Sequence, residues 1–428
     1  MSFAALFSAT TSAQSAELTL CWAAWDPANA LVELSKDFEA QSGHTMNFEF
    51  IPWPNFADRM LNELNSGGQL CDLLIGDSQW IGGGAENGHY VQLNDFFAAE
   101  GISMDDFAPA TVDAYAAWPK GSTNYYALPA MADANGWFYR KDWFENADLQ
   151  AAYKEATGND LRIPETQTEL LAIAQFFQGR EIDGQTRYGA SIFTERGSEG
   201  ITMGATSALY THGFTYESAS GTYDMDGVVN GPDAVAGLEF YKELYKTGTP
   251  PGYTDAYMEA SLDAFKSGQV AMAMNWFAFF PGLAADPDLE GKIGFFVNPK
   301  EKVAASTLGG QGISVVSYSD QKDAALEYIK WFADAEVQKK WNALGGFSAH
   351  NSVLNDPGYV DGAPYAAGFL EAMGSVKDFW QEPAYAELLI AMQKRLHDYI
   401  VADQGTAQEA LDQLVADWTE IFEDEGKL

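Results

Sequence analysis

Basic residues are scarce in this 428-residue chain: 24 Lys and Arg stand against 61 Asp and Glu, a formal net charge of −37. A surface that acidic repels phosphate backbones and anionic lipids, which argues against a nucleic-acid partner. It also favours solubility and suits a saline habitat. Histidine is scarcer still, and His44, His89, His212, His350 and His397 are scattered with no pair at metal-ligand spacing. The stretch 224–233 (DMDGVVNGPD) lacks the bidentate acid of a calcium loop and reads as a turn. Neither a Gly-x-Ser-x-Gly elbow, a Walker-type loop nor a Gly-x-Gly-x-x-Gly after the first strand occurs, so no metal or cofactor is expected. Counting carboxylates does not eliminate a glycosidase pair, but nothing singles one out. No segment reaches the about 20 apolar residues that a membrane helix needs.

Cysteine is limited to Cys21 and Cys71. An oxidising compartment would favour their pairing, whereas their offset along parallel strands would separate them. The pairing stays open at this level. The first sixteen residues carry no charge, and Ala13-Gln14-Ser15-Ala16 has the small-residue form of a signal-peptidase cut. Residues 1–16 are therefore expected to be the remnant of an export signal, with a disordered N-terminus as the alternative. Export to the periplasm of a Gram-negative cell follows from the first reading.

What the chain has is apolar and aromatic material: 47% hydrophobic residues, with 12 Trp, 20 Tyr and 27 Phe. Residues 18–22 read as a strand and 28–41 as a helix that Gly43 stops. Asp26 and Pro27 read as its N-cap and first residue. A strand at 46–51, a helix near 55–66 and a strand at 71–75 follow. Such alternation specifies an α/β fold with a parallel sheet, whose ligands lie beyond the carboxyl ends of the strands. Those ends are Trp22 to Asp26, Pro52-Trp53-Pro54, and Gly76 to Trp80, and all three carry tryptophan. Further on, Thr166 and Glu169 form a capping box for a helix. The stretch 261–276 reads as a helix ending near Gly268 and a strand leaving through Asn275-Trp276, and 292–299 as another strand. In the C-terminal helix Ala407, Leu411, Leu414, Trp418 and Ile421 share one face, which makes Trp418 a core residue.

Four segments in order resemble the extracellular solute-binding proteins of sugar-uptake ABC transporters, the family of maltose-binding protein. "CDLLIGDSQWIGGGAENGHYVQLNDF" is similar to the family's Pro-Asp-hydrophobic strand, with Cys71 where proline is usual. "YYALPAMADANGWFYRKDWFE" resembles the first hinge crossing, with Leu128-Pro129 and the Tyr139-Arg140-Lys141-Asp142 turn. "DAFKSGQVAMAMNW" is similar to the strand that ends in tryptophan. "STLGGQGISVVSYSDQKDAALEYIKWFADAEVQKKWNALGGFSAHNSV" resembles the second crossing and the helix after it.

The resemblance implies a two-lobe periplasmic binding protein fold of type II-like form, each lobe a mainly parallel sheet flanked by helices, with the ligand cleft at the hinge. It places 17–131 with 308–345 in an N-terminal lobe and 132–307 with 346–428 in a C-terminal lobe. It implies a monomer that performs no chemistry, captures a small carbohydrate by lobe closure and docks on membrane permease subunits. A binding protein for a cationic compatible solute, or a carbohydrate-active enzyme such as a glycosidase, are the alternatives.

Aromatic rings cover the C–H face of a sugar while short polar groups bond its hydroxyls. Trp25 and Trp276, one from each lobe at strand exits, are the first candidates, with Asn275 beside the latter. Asp26 is a weaker one, given its capping role. Asp77, Ser78, Gln79 and Trp80 follow the third strand, where Asp77 serves a hydroxyl or caps the turn. Gly309, Gly310 and Gln311 would let backbone approach a ligand. Glu195 and Arg196 offer hydroxyl partners or a surface ion pair. Trp53 and Trp380 have core packing as the competing account.

Overall fold

A computed structural model describes residues 15–428. Most of the expected export signal therefore lies outside the described residues. Among the described residues ten strands join in one sheet: β1 (Glu17–Ala23), β2 (Thr45–Ile51), β3 (Leu73–Asp77), β4 (Leu128–Arg140), β5 (Arg180–Ile182), β6 (Gln185–Ser191), β7 (Val270–Trp276), β8 (Ile293–Val297), β9 (Ser306–Val315) and β10 (Val376–Lys377). Their order is β2-β1-β3-β9-β4-β7-β6-β5, with β8 on β4 and β10 on β9.

β1 lies at the centre of the first lobe, parallel to β2 on one side and β3 on the other. Leu18, Leu20 and Trp22 are fully buried because helices cover the sheet. The helix Asp26–Ser42 contributes Leu31, Leu34 and Phe38 to that cover. It ends at Gly43, whose φ of +76° suits glycine and whose N–H donates to Glu39 O. The expected carboxylate cap does not form at its start. Trp25 occupies the N-cap with extended backbone, and Asp26 is already helical, exposed and makes no capping bond.

The fold turns on two long strands. β4 pairs antiparallel with β9 as far as Ala134↔Leu308, then from Asn135 onward with β7 and from Gly136 with β8. β9 in turn pairs with β3 over Gln311 to Val315. These strands carry the chain from one lobe to the other. In the second lobe β6 runs parallel to β7, beside a layer in which the helices Gly200–His212, Pro232–Gly248, Tyr385–Ile400 and Ala407–Asp424 pack on one another. Every residue of the first of these is buried, as expected for a helix enclosed on all sides. Trp418 is fully buried, and its Nε1 donates to Leu388 O at 2.8 Å. Thr166 caps its helix by accepting from Glu169 N, but the Glu169 carboxylate bonds Glu165 N and Arg162 instead of closing the box.

Cys21 and Cys71 form a disulfide, with Cα atoms 5.7 Å apart. The strand begins at Leu73, later than the sequence suggests, and the chain bends at Leu70 and Asp72. Cys71 thus lies outside the ladder, in which Leu74 is the partner of Cys21, and it reaches Cys21 from that bend.

Candidate functional site

The exits of β1, β3 and β7 converge on the point where β4 changes partners. Trp25, Trp53 and Trp276 line a cavity there together with Asp77, Gln79 and Asp133. Glu199, Met203, Met258, Leu308 and Gly309 to Gln311 complete the wall. The enclosed space is only 20 Å³, room for about one water. The two lobes are thus nearly shut on one another. Trp25 of the first lobe and Phe279 of the second meet edge to face at 6.3 Å.

Trp25 is held by its neighbours. It packs edge-on against Trp22 at 5.5 Å and tilts over Trp53 at 6.2 Å, while its Nε1–H is buried without an acceptor. Trp53 opens the helix Trp53–Asn65 between two prolines and stays half-buried. Trp276 ends β7, and its N–H donates to Asn275 Oδ1 at 2.9 Å. Its ring lies against Gly309, where a Cβ would come within 2.7 Å of it. Gly310 has φ +90°, and a Cβ there would meet Met131 O at 2.2 Å. Both glycines are therefore required by the close approach of β9.

Three buried carboxyls face this space. Asp77 ends β3 opposite Gln311 and accepts from Gln79 N at 3.4 Å and Ser78 Oγ at 3.2 Å. Burial, and next the nearby Asp378, push it up to about 7. Asp133 sits on β4 opposite Gly309, and its Oδ1 accepts from Ala134 N at 2.8 Å and Ala278 N at 3.2 Å. Burial outweighs those bonds and lifts it to about 8. Glu199 precedes the helix Gly200–His212 with φ +73° and makes no capping bond. Burial raises it well above the usual carboxylate range, and Asp77, Asp378 and Glu195 add to the effect. No Lys, Arg or His lines the cavity among the described residues.

Eight residues expected from the sequence meet here: Trp25, Trp53, Asp77, Gln79, Trp276, Gly309, Gly310 and Gln311. The other seven stand outside the wall. Asp26 and Arg196 are exposed, and Glu195 is half-buried four residues before Glu199. Ser78 supports Asp77 from behind. Trp80 is buried against Phe56 at 5.1 Å. Asn275 is fully buried, its Nδ2 donating to Met258 O at 3.0 Å. Trp380 packs on Tyr216 and Trp418, the core role that competed with a ligand role.

Asp133, Glu199, Met203, Met258 and Leu308 were not expected. Asp133 had a signal, being the only charged residue in the largely apolar stretch 128–139. Glu199 had none, because a left-handed turn directs it inward.

Beyond Leu308 a larger cavity of 520 Å³ is lined by Trp118, Tyr223, Trp380 and Lys427, among others. Several of its polar groups pair with one another: Glu382 accepts from Lys427 and Tyr223, and Glu86 accepts from Trp118, while Trp380 Nε1 and Gln381 Oε1 are buried without partners. The smaller cavity is the one that stands beyond the carboxyl ends of the strands, where ligands of such sheets bind.

Residues 24–339 match the family model of bacterial extracellular solute-binding proteins. The chain belongs to this family. Its members are substrate-binding proteins of ABC transporters, and the chain is a binding protein rather than an enzyme. The mannitol-binding protein of Pseudomonas aeruginosa is 28% identical over 288 residues, covering 64% of this chain and 60% of that protein. The two-lobe fold is shared with maltose-bound MalE3 of T. maritima, at a TM-score of 0.80 and 21% identity over 95% of this chain and 100% of that one. It is also shared with the ribitol complex of a solute-binding protein from Agrobacterium radiobacter K84, at 0.77 and 23% identity over 95% and 99%. No helix among the described residues is long and apolar enough to cross a membrane.

Proposed function

We propose that this solute-binding protein captures a small carbohydrate or polyol in the cavity between its lobes and delivers it to the permease of an ABC importer. The observation that carries the reading is the placement of Trp25 and Trp276. They come from opposite lobes and line one cavity with three carboxyls. Rings of that kind cover the C–H face of a sugar, and the acids accept its hydroxyls. Relatives whose names or complexes specify mannitol, ribitol and maltose support the ligand class.

The lobes divide at 17–131 with 308–345 and at 132–307 with 346–428. The change of β4 from β9 to β7 at Ala134 and Asn135 supports that division. The cavity is too narrow for a sugar as it stands, so the ligand enters with the lobes apart and closure follows about the crossing strands. The disulfide suits an oxidising compartment, and we assign the mature protein to the periplasm as a monomer.

Calorimetric titration with sugars and polyols, followed by analysis of the recovered ligand, tests this. Tight binding with the ligand returned unchanged is expected, and turnover would overturn it. Trp276→Ala and Trp25→Ala should each weaken binding about fivefold or more, because a stacked ring contributes about 1 kcal/mol. A loss under about threefold in both would show that the ligand sits elsewhere.

A further inference from the structure

We infer that the cleft selects a polyhydroxylated cation, a protonated amine on a sugar-like carbon skeleton, over the neutral sugar or polyol of the same shape. This rests on the carbohydrate-capture reading and narrows it.

The wall is unbalanced in hydrogen-bonding sense. Asp77, Asp133 and Glu199 all line it, and they are 9%, 1% and 6% exposed. Gln79 and Gln311, each 2% exposed, add amide oxygens that have no partner. The Gln79 Nε2 is engaged with Asp378 at 3.5 Å, which leaves its oxygen as the free end. Against these acceptors the wall's side-chain donors are indole N–H groups, of which Trp25 Nε1 is buried without a partner.

A neutral hydroxyl brings one donor and two lone pairs. A polyol filling this space would satisfy the acceptors but leave most of its own lone pairs without donors. An ammonium brings three donors and no acceptor. It would also gain from the faces of Trp25, Trp53 and Trp276, which attract cations.

Charge points the same way as donor counting. Buried carboxylates are costly without a cation, and none of the described residues supplies one to this wall. Burial raises all three carboxyls, neighbouring acids add to the rise at Asp77 and Glu199, and a bound cation would supply the counter-charge that lets them ionise. Some carboxyls elsewhere in the chain meet lysines, as Asp403 meets Lys242 and Lys246, whereas the three here are buried and meet none. The cleft is where acids gather with their counter-charge missing.

Matched pairs of ligands test this: sorbitol against 1-amino-1-deoxysorbitol, and glucose against glucosamine, by calorimetry near neutral pH. Choline serves as a cation without hydroxyls on its ring-facing methyls. The amine of each pair should bind at least tenfold tighter than its neutral counterpart. That gap should persist in about 0.5 M salt, where attraction to the acidic surface is screened. Glu199→Gln, which keeps the side-chain volume, should cut the gap to under threefold, and Asp77→Asn serves if the first variant does not fold.

Equal or tighter binding of the neutral member overturns the inference and leaves carbohydrate capture standing. A gap that vanishes in salt, or choline binding above both amines, also overturns it. Undiminished amine binding in Trp276→Ala would place the amine outside the cleft and refute it. If neither member of either pair binds, the carbohydrate-capture reading falls as well.

Discussion

Asp133 is buried on a crossing strand with two backbone N–H groups on one oxygen, yet burial still lifts it from 3.8 to about 8. A carboxyl raised in the folded state binds more protons there than in the unfolded chain across that interval. Stability of the unliganded protein should therefore fall as pH rises from about 4 to about 8, by at most about 1.4 kcal/mol per pH unit for this group. Asp77, raised to about 7, acts in the same sense. Asp133→Asn keeps an oxygen for Ala134 and Ala278 and removes the titration. Urea unfolding across that range should show a shallower pH slope for the variant, and equal or higher stability near pH 8. An unchanged slope would mean that Asp133 is ionised throughout. At this scale the sequence reveals side chains that have no local duty. Trp25 and Trp276 were legible because a strand exit gives a large ring nothing else to do. Trp80 and Trp380 occupy similar positions in the sequence, but Phe56 and Trp418 claim their rings for the core. Glu199 was illegible because its direction depends on a left-handed turn that no motif marks.

The elements were easier to read than the residues. Strand, helix and strand over 17–77 followed from apolar spacing and the Gly43 stop, and the structure keeps them with bounds shifted by one or two residues. Those shifts mattered once. Moving the start of β3 from Cys71 to Leu73 freed Cys71 to bend back to Cys21, so a pairing that strand offset argued against is formed. The bridge closes a loop with a sequence separation of 50, and in the chain-entropy account a loop of that size is worth about 4 kcal/mol. Replacing both cysteines by alanine should cost about 2 to 5 kcal/mol of unfolding free energy. Dithiothreitol should reproduce that loss in the wild type and have no effect on the double variant. The other feature hidden from the sequence was the change of partners within β4. A 13-residue strand buried along nearly its whole length reads as one element whether it serves one lobe or two.

Across the whole molecule, the cleft closes on one side while the larger cavity carries a polar tie between the lobes. Lys427, next to the C-terminus, reaches Glu382 at 2.9 Å in its own lobe and Glu86 at 3.6 Å in the other. Glu86 is fixed in turn by Trp118 Nε1 at 3.1 Å. Lys427 is held well above its ordinary range, the Glu382 contact overcoming the cost of burial. Because this contact exists with the cleft nearly shut, it should favour the closed form over the open one. A partly exposed pair contributes at most about 1 kcal/mol, so the bias it can exert on closure is small and measurable. Lys427→Met keeps the packing against Trp118 and Tyr223 but drops the charge. Ligand affinity should weaken by no more than about fivefold, and the unliganded protein should be more expanded by small-angle X-ray scattering. The liganded form should keep its wild-type dimensions, since bound ligand supplies the closing free energy. Tighter binding in the variant would assign the Lys427 contact to the open form instead, and the larger cavity would then be the side that narrows as the cleft opens.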